Sequence, residues 1–298
     1  MTTATAGRTP AVHHPPDIRP PSQREFRLFQ DLLSRETGIW LSEHKRPLLV
    51  SRLTRRLRQL GLTRFGDYYE LAKDDAAERA RMIESLCTHE TSFFREPRQF
   101  QFLESSLLPA WLAESDEGSR PRRVRVWSAG CSTGEEPFSI AMLLAEWLPL
   151  WDCRVLATDL SSRALDKARS ATWPIRRAQE IPAPLLKRFM LRGTGGQEGL
   201  MRAGMELRDM VRFEQLNLND SYYGFDEPFD LIFCRNVMIY FDPASRMRVV
   251  DRLLRHLVPN GYLFLGHAES LLGHTDRVRS VLPSVYSLLP GRAGAGEG

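Results

Sequence analysis

What the chain lacks narrows its class first. Its 298 residues hold no apolar run of about 18, so no segment is predicted to cross a bilayer. The opening stretch, MTTATAGRTPAVHHPPDIRPP, has no apolar core of the kind a secretory signal needs, and the protein is expected to be cytoplasmic. Cysteine is scarce: Cys87, Cys131, Cys153 and Cys234 are scattered and form no C-x-x-C pair. That argues against a disulfide framework or a structural zinc site and for buried, reduced thiols. There is no internal repeat. Charge is only mildly unbalanced, with a net +4 and a pI near 9.0. Such a balance suits nucleic acid, an anionic membrane or an acidic protein, and only the distribution of the charges chooses among them.

What is present divides the chain. Residues 1–21 are rich in Pro, Thr and Ala and read as a disordered tail, and 291–298 as a flexible one. From Ser22 the pattern is helical: Ser22 with Glu25 makes a capping box, and Phe26, Phe29, Leu32 and Leu33 recur at helical spacing. Further helices are predicted over 47–60, stopped by Gly61, and over 65–72 and 76–87, which makes 22–90 a small all-helical domain. A helical connector, about 97–114, leads on. Strand-like runs then alternate with helical ones: VRVWSAG, 135–148, CRVLATD, 162–170, PFDLIFCRN, 245–257 and GYLFLG, with SVYSLL closing the sheet at its edge. Alternation of this kind predicts an α/β fold, a doubly wound, Rossmann-like parallel sheet wrapped on both faces, over 91–290. The stretch at about 191–214 interrupts it and reads as a small antiparallel β-subdomain.

In such a sheet a ligand sits beyond the carboxyl ends of the strands. The first end is Ser128-Ala129-Gly130-Cys131-Ser132-Thr133-Gly134-Glu135-Glu136. It lacks the G-x-G-x-x-G spacing of a dinucleotide loop, and its two acids repel phosphate while suiting the start of a helix. The second end carries Asp159, an acid placed to accept hydrogen bonds from ribose hydroxyls, with Ser161 and Ser162 available to cap the next helix in its stead. The third is Cys234-Arg235-Asn236-Val237-Met238-Ile239-Tyr240, where an arginine at the end of a buried strand requires a partner. Asn217 is expected to reach the same region. Together these features point to S-adenosylmethionine, whose adenosine needs a ribose carboxylate and whose sulfonium tolerates nearby acids.

The stretches CTHETSFFRE, VWSAGCSTGEEPFSIAM, ATDLSSRALDKAR, FDLIFCRNVMIYFD and LFLGHAES resemble, in order and spacing over about 22–290, the motifs of the chemotaxis receptor methyltransferase (CheR) family. The resemblance implies a helical N-terminal domain joined to a methyltransferase domain with a β-subdomain. It implies S-adenosylmethionine as methyl donor, S-adenosylhomocysteine as product and receptor glutamates as acceptors, as in adaptation during bacterial chemotaxis. Position by position it implies Thr91, Arg95, Glu135, Asp159, Asn217, Leu218, Arg235 and Asn236 as donor-binding residues. His89 stands where many relatives have Asn and lines the same site. Arg95 and Tyr240 are the candidates nearest the chemistry. His256, His267 and His274 are given no role.

Two features concern partners. In SRLTRRLRQLG, Leu49, Leu53, Leu57 and Leu60 share one face of the predicted helix. Arg52, Arg55 and Arg58 share the other, and Arg56 borders the apolar side. An unmixed arginine stripe suggests an acidic partner. The resemblance makes that partner the methylation region of the cytoplasmic domain of a chemoreceptor. The glycine-rich stretch at 193–199 resembles the subdomain loop of family members that bind a peptide at the receptor C-terminus. An RNA methyltransferase is a rival reading, but no RNA-binding module or arginine–aromatic interleaving supports it, and no nucleic acid is expected as partner. A receptor-binding module without catalysis and a small-molecule carboxyl methyltransferase are further rivals, and the intact donor motifs speak against the first.

Overall fold

Ser22 and Glu25 open the first helix in the manner the capping-box pattern predicts. The Glu25 N–H donates to Ser22 Oγ at 3.2 Å, and the Ser22 N–H donates to Glu25 Oε2 at 2.7 Å. The structure, a computed structural model, describes residues 18–271, 273 and 275–290. His274 and the proposed tails, apart from 18–21, lie outside the described residues. The chain groups into two units, one of residues up to Leu33 with Leu41–Leu86, the other of Ser34–Trp40 with the chain from Cys87 on.

The first unit is helical: α1 (Gln23–Thr37, whose last turn groups with the second unit), α2 (Arg46–Leu60), α3 (Phe65–Asp74) and α4 (Ala76–Leu86). Its core forms around Phe29, whose ring lies 5.5 to 6.3 Å from those of Phe65, Tyr68 and Tyr69. In α2 the leucine stripe turns inward at Leu49, Leu53 and Leu57, Leu60 is half-buried, and Gly61 ends the helix. The arginine stripe is not uniform. Arg55 and Arg58 are exposed, whereas Arg52 is half-buried and donates from Nη1 to the carbonyls of Leu86 at 2.8 Å and Ser85 at 3.3 Å. It thus caps the last turn of α4, where a cation meets the negative end of the helix dipole. Angular position on one helix predicts which way a side chain leaves its backbone. It does not show the neighbouring helix end that captures it.

The second unit runs α5 (Pro97–Phe102), a π-helical turn (Leu103–Leu107), α6 (Leu108–Asp116), β1 (Arg123–Ala129), α7 (Glu135–Trp147), β2 (Asp152–Asp159), α8 (Ser162–Ser170), β3 (Thr172–Pro174), α9 (Ala183–Phe189), β4 (Met190–Arg192), β5 (Leu200–Ala203), α10 (Met205–Met210), β6 (Val211–Gln215), β7 (Phe229–Cys234), α11 (Pro243–Arg255), β8 (Leu257–Leu265), β9 (Val278–Leu282) and β10 (Val285–Leu288). The large sheet has the order β6-β2-β1-β7-β8-β10-β9, parallel from β6 to β8 and antiparallel beyond. Neighbouring residues of a strand face opposite sides. Val126, Val155 and Phe233 pack with Ile140, Leu143 and Leu144 of α7 on one face, while Trp127 and Ile232 pack with Val249, Val250 and Leu253 of α11 on the other. Helices therefore cover both faces, as the alternation of elements predicts.

Two expectations need correction. The antiparallel insertion is not at about 191–214: its sheet, ordered β3-β5-β4, starts at Thr172 and ends at Ala203, and Val211–Gln215 is instead the parallel edge strand β6, paired with β2. A short strand reads the same in either pairing mode, and only the partner distinguishes them. Likewise SVYSLL does not close the sheet. It forms β10, flanked by β8 and by the edge strand β9.

Candidate functional site

The site grows from the carboxyl ends of β1, β2 and β7. After β1 the chain turns at Gly130, whose φ is 83°, and a side chain there would collide with Val237 beyond β7. Only glycine lets the two strand-end loops come this close. Ser132 follows in a left-handed conformation, φ 52°, and its N–H donates to Asp159 Oδ2 at 2.8 Å, across from the end of β2. The other Asp159 oxygen accepts the Ser161 N–H at 2.9 Å, while Ser161 Oγ caps α8 by accepting the Ala164 N–H at 3.1 Å. The capping duty falls to Ser161, as the sequence suggests. Asp159 stays half-exposed.

Glu135 opens α7 and its side chain is fully buried. Thr133 Oγ1 donates to its Oε2 at 2.6 Å, while Oε1 makes no hydrogen bond and faces Arg177 Nη1 at 3.4 Å. Arg177 comes from the 3-10 turn Ile175–Glu180, between β3 and α9. It also donates from Nη2 to the Thr91 carbonyl at 2.7 Å.

Arg235 holds the centre of a buried charge cluster. Its side chain is 1% exposed, and it lies 3.4 Å from Glu96 and 3.3 Å from Glu136, donates to the carbonyl of Arg95 and sits over the Phe100 ring. The partner an arginine at a buried strand end requires is therefore a pair of glutamates. The cluster is not saturated: Glu96 Oε2 and Arg235 Nε and Nη1 make no hydrogen bond. Burial holds the Glu136 carboxyl above the ordinary glutamate range, although Arg235 beside it and a 2.7 Å hydrogen bond from Ser128 Oγ act the other way. Cys131, in the same loop, is buried, and burial pushes its thiol well above the ordinary cysteine range.

Asn236 adopts φ 58° and is fixed by Glu269, a carboxylate 2% exposed. Glu269 accepts N–H bonds from Asn236 at 2.9 Å, Gly266 at 2.7 Å and Ile239 at 3.1 Å, which ties the turn after β7 to the loop after β8. Gly266 allows this approach, since a Cβ there would strike Asn236. Asn236 Nδ2 also reaches Glu96 Oε1 at 3.4 Å.

The expected residues divide as follows. Glu135, Arg235 and Asn236 enter the neighbourhood by their side chains, Thr91 and Arg95 by their carbonyls, the Arg95 side chain donating instead to the Glu90 carbonyl at 2.8 Å, and Asp159 joins through the Ser132 N–H. The Asn217 side chain is committed to backbone, donating to the Glu36 carbonyl at 2.7 Å and accepting the Asn219 N–H at 3.0 Å. Leu218 is buried in the core beneath, and its carbonyl accepts the Tyr223 hydroxyl at 2.8 Å. Tyr240 is half-buried, its carbonyl accepts the Trp40 N–H at 2.7 Å, and Ile39 bridges to Phe241. His89 is half-buried in the irregular stretch before Thr91. Arg52, Arg55 and Arg58 belong to the other unit.

Sequence reasoning placed Glu136 at the first strand end without its partner Arg235, and missed Glu96, Arg177, Glu269 and the segment Ser34–Trp40 as parts of this neighbourhood. Glu96, Glu136 and Glu269 stand inside the quoted motifs, where buried acids were a usable signal. Nothing in the residues around Arg177 or Ser34–Trp40 marks them.

The model of the CheR methyltransferase, SAM binding domain, matches residues 89–286, and that of the CheR methyltransferase, all-alpha domain, matches 24–87. Among curated proteins, chemotaxis protein methyltransferase 2 of Pseudomonas aeruginosa is 41% identical over 268 residues, 89% of this chain and 93% of that one. The chemotaxis protein methyltransferase of Escherichia coli is 41% identical over 260 residues, 86% of this chain and 87% of that one. That of Borreliella burgdorferi is 36% identical over 255 residues, 84% of this chain and 88% of that one.

Proposed function

The chain belongs to the CheR methyltransferase family, S-adenosylmethionine-dependent methyltransferases, and from that premise we propose that it esterifies glutamate side chains in the cytoplasmic domain of chemoreceptors. S-adenosylmethionine supplies a methyl group on a sulfonium, and its transfer to a carboxylate gives a glutamyl methyl ester and S-adenosylhomocysteine.

The observation that carries the reading is the acidic, under-satisfied lining of the strand-end site. Glu135 Oε1, Glu96 Oε2 and Ser132 Oγ are buried without a hydrogen bond, and Asp159 keeps lone pairs beyond its two backbone bonds. Such a set suits a cationic ligand with ribose hydroxyls and repels a pyrophosphate. Asp159 accepts the ribose hydroxyls, and Glu135 with Thr91, Arg95, Arg235 and Asn236 holds the amino-acid end. Asn217 and Leu218 shape the adenine side through their backbone, and His89 lines it. A glutamate has an ordinary pKa near 4.3, so the acceptor is ionised at pH 7 and no general base is needed. The protein's task is positioning and exclusion of water, with Arg95 and Tyr240 beside the reacting groups.

In the helical unit Arg55 and Arg58 are exposed on α2 and offer positive charge to the acidic receptor segment, and Arg52 on the same helix braces the end of α4. In the insertion, β4 pairs with β5 alone, and Leu191 on it is 58% exposed. That edge can take a receptor C-terminal peptide as one more strand, which would raise the local concentration of enzyme near its glutamates. A chain acting on that receptor domain works in the cytoplasm. Among the described residues no helix is long and apolar enough to cross a membrane.

The test is transfer of a labelled methyl group from S-adenosylmethionine to receptor-containing membranes, released as methanol by mild base. Label that stays after base treatment, or that goes to RNA, defeats the reading. Arg55→Glu with Arg58→Glu is expected to abolish transfer while calorimetry shows donor binding intact. Receptor C-terminal peptides are expected to bind at about micromolar affinity, on the order of −8 kcal/mol, and to lose binding when 193–199 is deleted.

A further inference from the structure

One side chain of the insertion reaches the donor site without belonging to any motif. Arg177 spreads its guanidinium over three acceptors. Nη2 donates to the Thr91 carbonyl at 2.7 Å and to Glu180 Oε2 at 3.0 Å, Nε donates to Glu180 Oε2 at 3.2 Å, and Nη1 lies 3.4 Å from Glu135 Oε1. Glu180 Oε2 in turn accepts the Phe93 N–H at 3.0 Å. The pair Arg177–Glu180 therefore grips the Thr91–Phe93 backbone from both polarities, by donation to one carbonyl and acceptance from one amide. Its third contact is a fully buried carboxylate whose facing oxygen makes no hydrogen bond.

We propose that Arg177 is a positioning residue for the methyl donor: carried by the insertion, it locks the Thr91 loop against Glu135 and offsets the acidity of the site. The proposal rests on the reading of this site as the S-adenosylmethionine site. The planar fork of an arginine serves three acceptors at fixed angles, which the point charge of a lysine does not. Without a cation, Glu135 is a buried carboxylate with no opposite charge beside it, and the Thr91 carbonyl and the Phe93 amide lose their common anchor. Geometry and charge are separable here. Loss of the fork loosens the pocket for any adenosyl ligand. Loss of the positive charge makes the site more negative and favours a sulfonium over a neutral thioether. The insertion thereby has a duty toward the donor that is independent of any peptide at its edge.

The experiment uses the full chain with Arg177→Lys and Arg177→Gln, titrated calorimetrically with S-adenosylmethionine and with S-adenosylhomocysteine, after thermal unfolding has shown both variants folded. Both variants are expected to bind the donor about tenfold more weakly. Arg177→Gln is expected to raise the ratio of product Kd to donor Kd about threefold, and Arg177→Lys to leave that ratio unchanged. A merely structural role would weaken both ligands equally in both variants. Donor affinity within about twofold of the unaltered chain, or an unchanged ratio in Arg177→Gln, overturns the proposal. If Arg177→Gln does not fold, Arg177→Lys decides by its donor affinity alone. An unaltered chain that binds neither ligand removes the reading of the site itself, and the inference with it.

Discussion

Each unit buries a charge cluster, and the two clusters are built on opposite plans. In the helical unit Glu78 is 2% exposed and accepts four hydrogen bonds, from Arg56 Nε at 2.7 Å and Nη2 at 2.6 Å, Tyr68 OH at 3.0 Å and Arg81 Nη1 at 3.2 Å. The hydrogen-bonded Arg56 holds its carboxyl below the ordinary range, and Tyr68 and Arg81 add to this. In the other unit Arg235 meets Glu96 and Glu136 at distances over 3 Å with polar atoms left unbonded, and Glu136 is held above the ordinary range by burial. A saturated cluster contributes stability. An unsaturated one stores desolvation cost in place, and such sites are where ligands are held.

The largest effect expected from this contrast is at Glu78. Glu78→Ala leaves the buried Tyr68 hydroxyl and the half-buried Arg56 without their shared acceptor and should lower unfolding stability by about 3 kcal/mol, read by urea denaturation. Donor affinity should not change. The pH dependence follows from the depressed pKa: the stabilisation by Glu78 is complete above the unfolded value, near 4.3, and is lost as pH falls through the folded value. Glu78→Gln should flatten the loss of stability below about pH 4. A slope equal to that of the unaltered chain would show that Glu78 is not what the acid titrates.

Asp159 is the intermediate case, satisfied by two backbone amides yet half-exposed at the site. Asp159→Ala should weaken S-adenosylmethionine by at least about tenfold, since charge-assisted bonds are worth roughly 1.5–3 kcal/mol each, with the thermal transition still cooperative. Unchanged donor affinity in calorimetry would take Asp159 out of the site. Arg52 tests the division of the arginine stripe. Arg52→Ala should cost about 1 kcal/mol of stability through the lost cap on α4, whereas Arg55→Ala should cost about none. Equal costs would contradict the separate roles given to them.

The smallest effect has the opposite sign. Burial already disfavours a charged Glu136, so Glu136→Gln should leave stability at pH 7 unchanged or raise it by up to about 1 kcal/mol, while donor affinity falls. The raised pKa gives the sign: the cost appears as pH rises above the unfolded value and is complete above the folded one. A clear loss of stability in Glu136→Gln would mean that both clusters follow one plan, and the contrast would fail.

The sequence carried much of this. Apolar spacing located the inward leucines of α2, the Ser22–Glu25 pair marked the start of α1, and β-branched runs ending in Gly130, Asp159 and Arg235 marked the three strand ends that meet. These are local properties: helix and strand periods, caps and small residues act within a few positions, so their traces lie in contiguous letters. Other features depend on partners distant in the chain. Val211–Gln215 became a parallel strand because β2 was beside it, and Arg52 became a helix cap because the end of α4 came within reach. Arg177 met Thr91 and Glu135 across 86 and 42 positions of sequence, and Ser34–Trp40 grouped with a unit that otherwise starts at Cys87. By itself the sequence determined the helices of the first unit, the central strands of the large sheet, the family motifs and the chemical character of the strand ends. Only the tertiary structure decided which buried charges were satisfied and which were left open, because hydrogen-bond satisfaction is a property of pairs brought together by folding and neither partner records it alone.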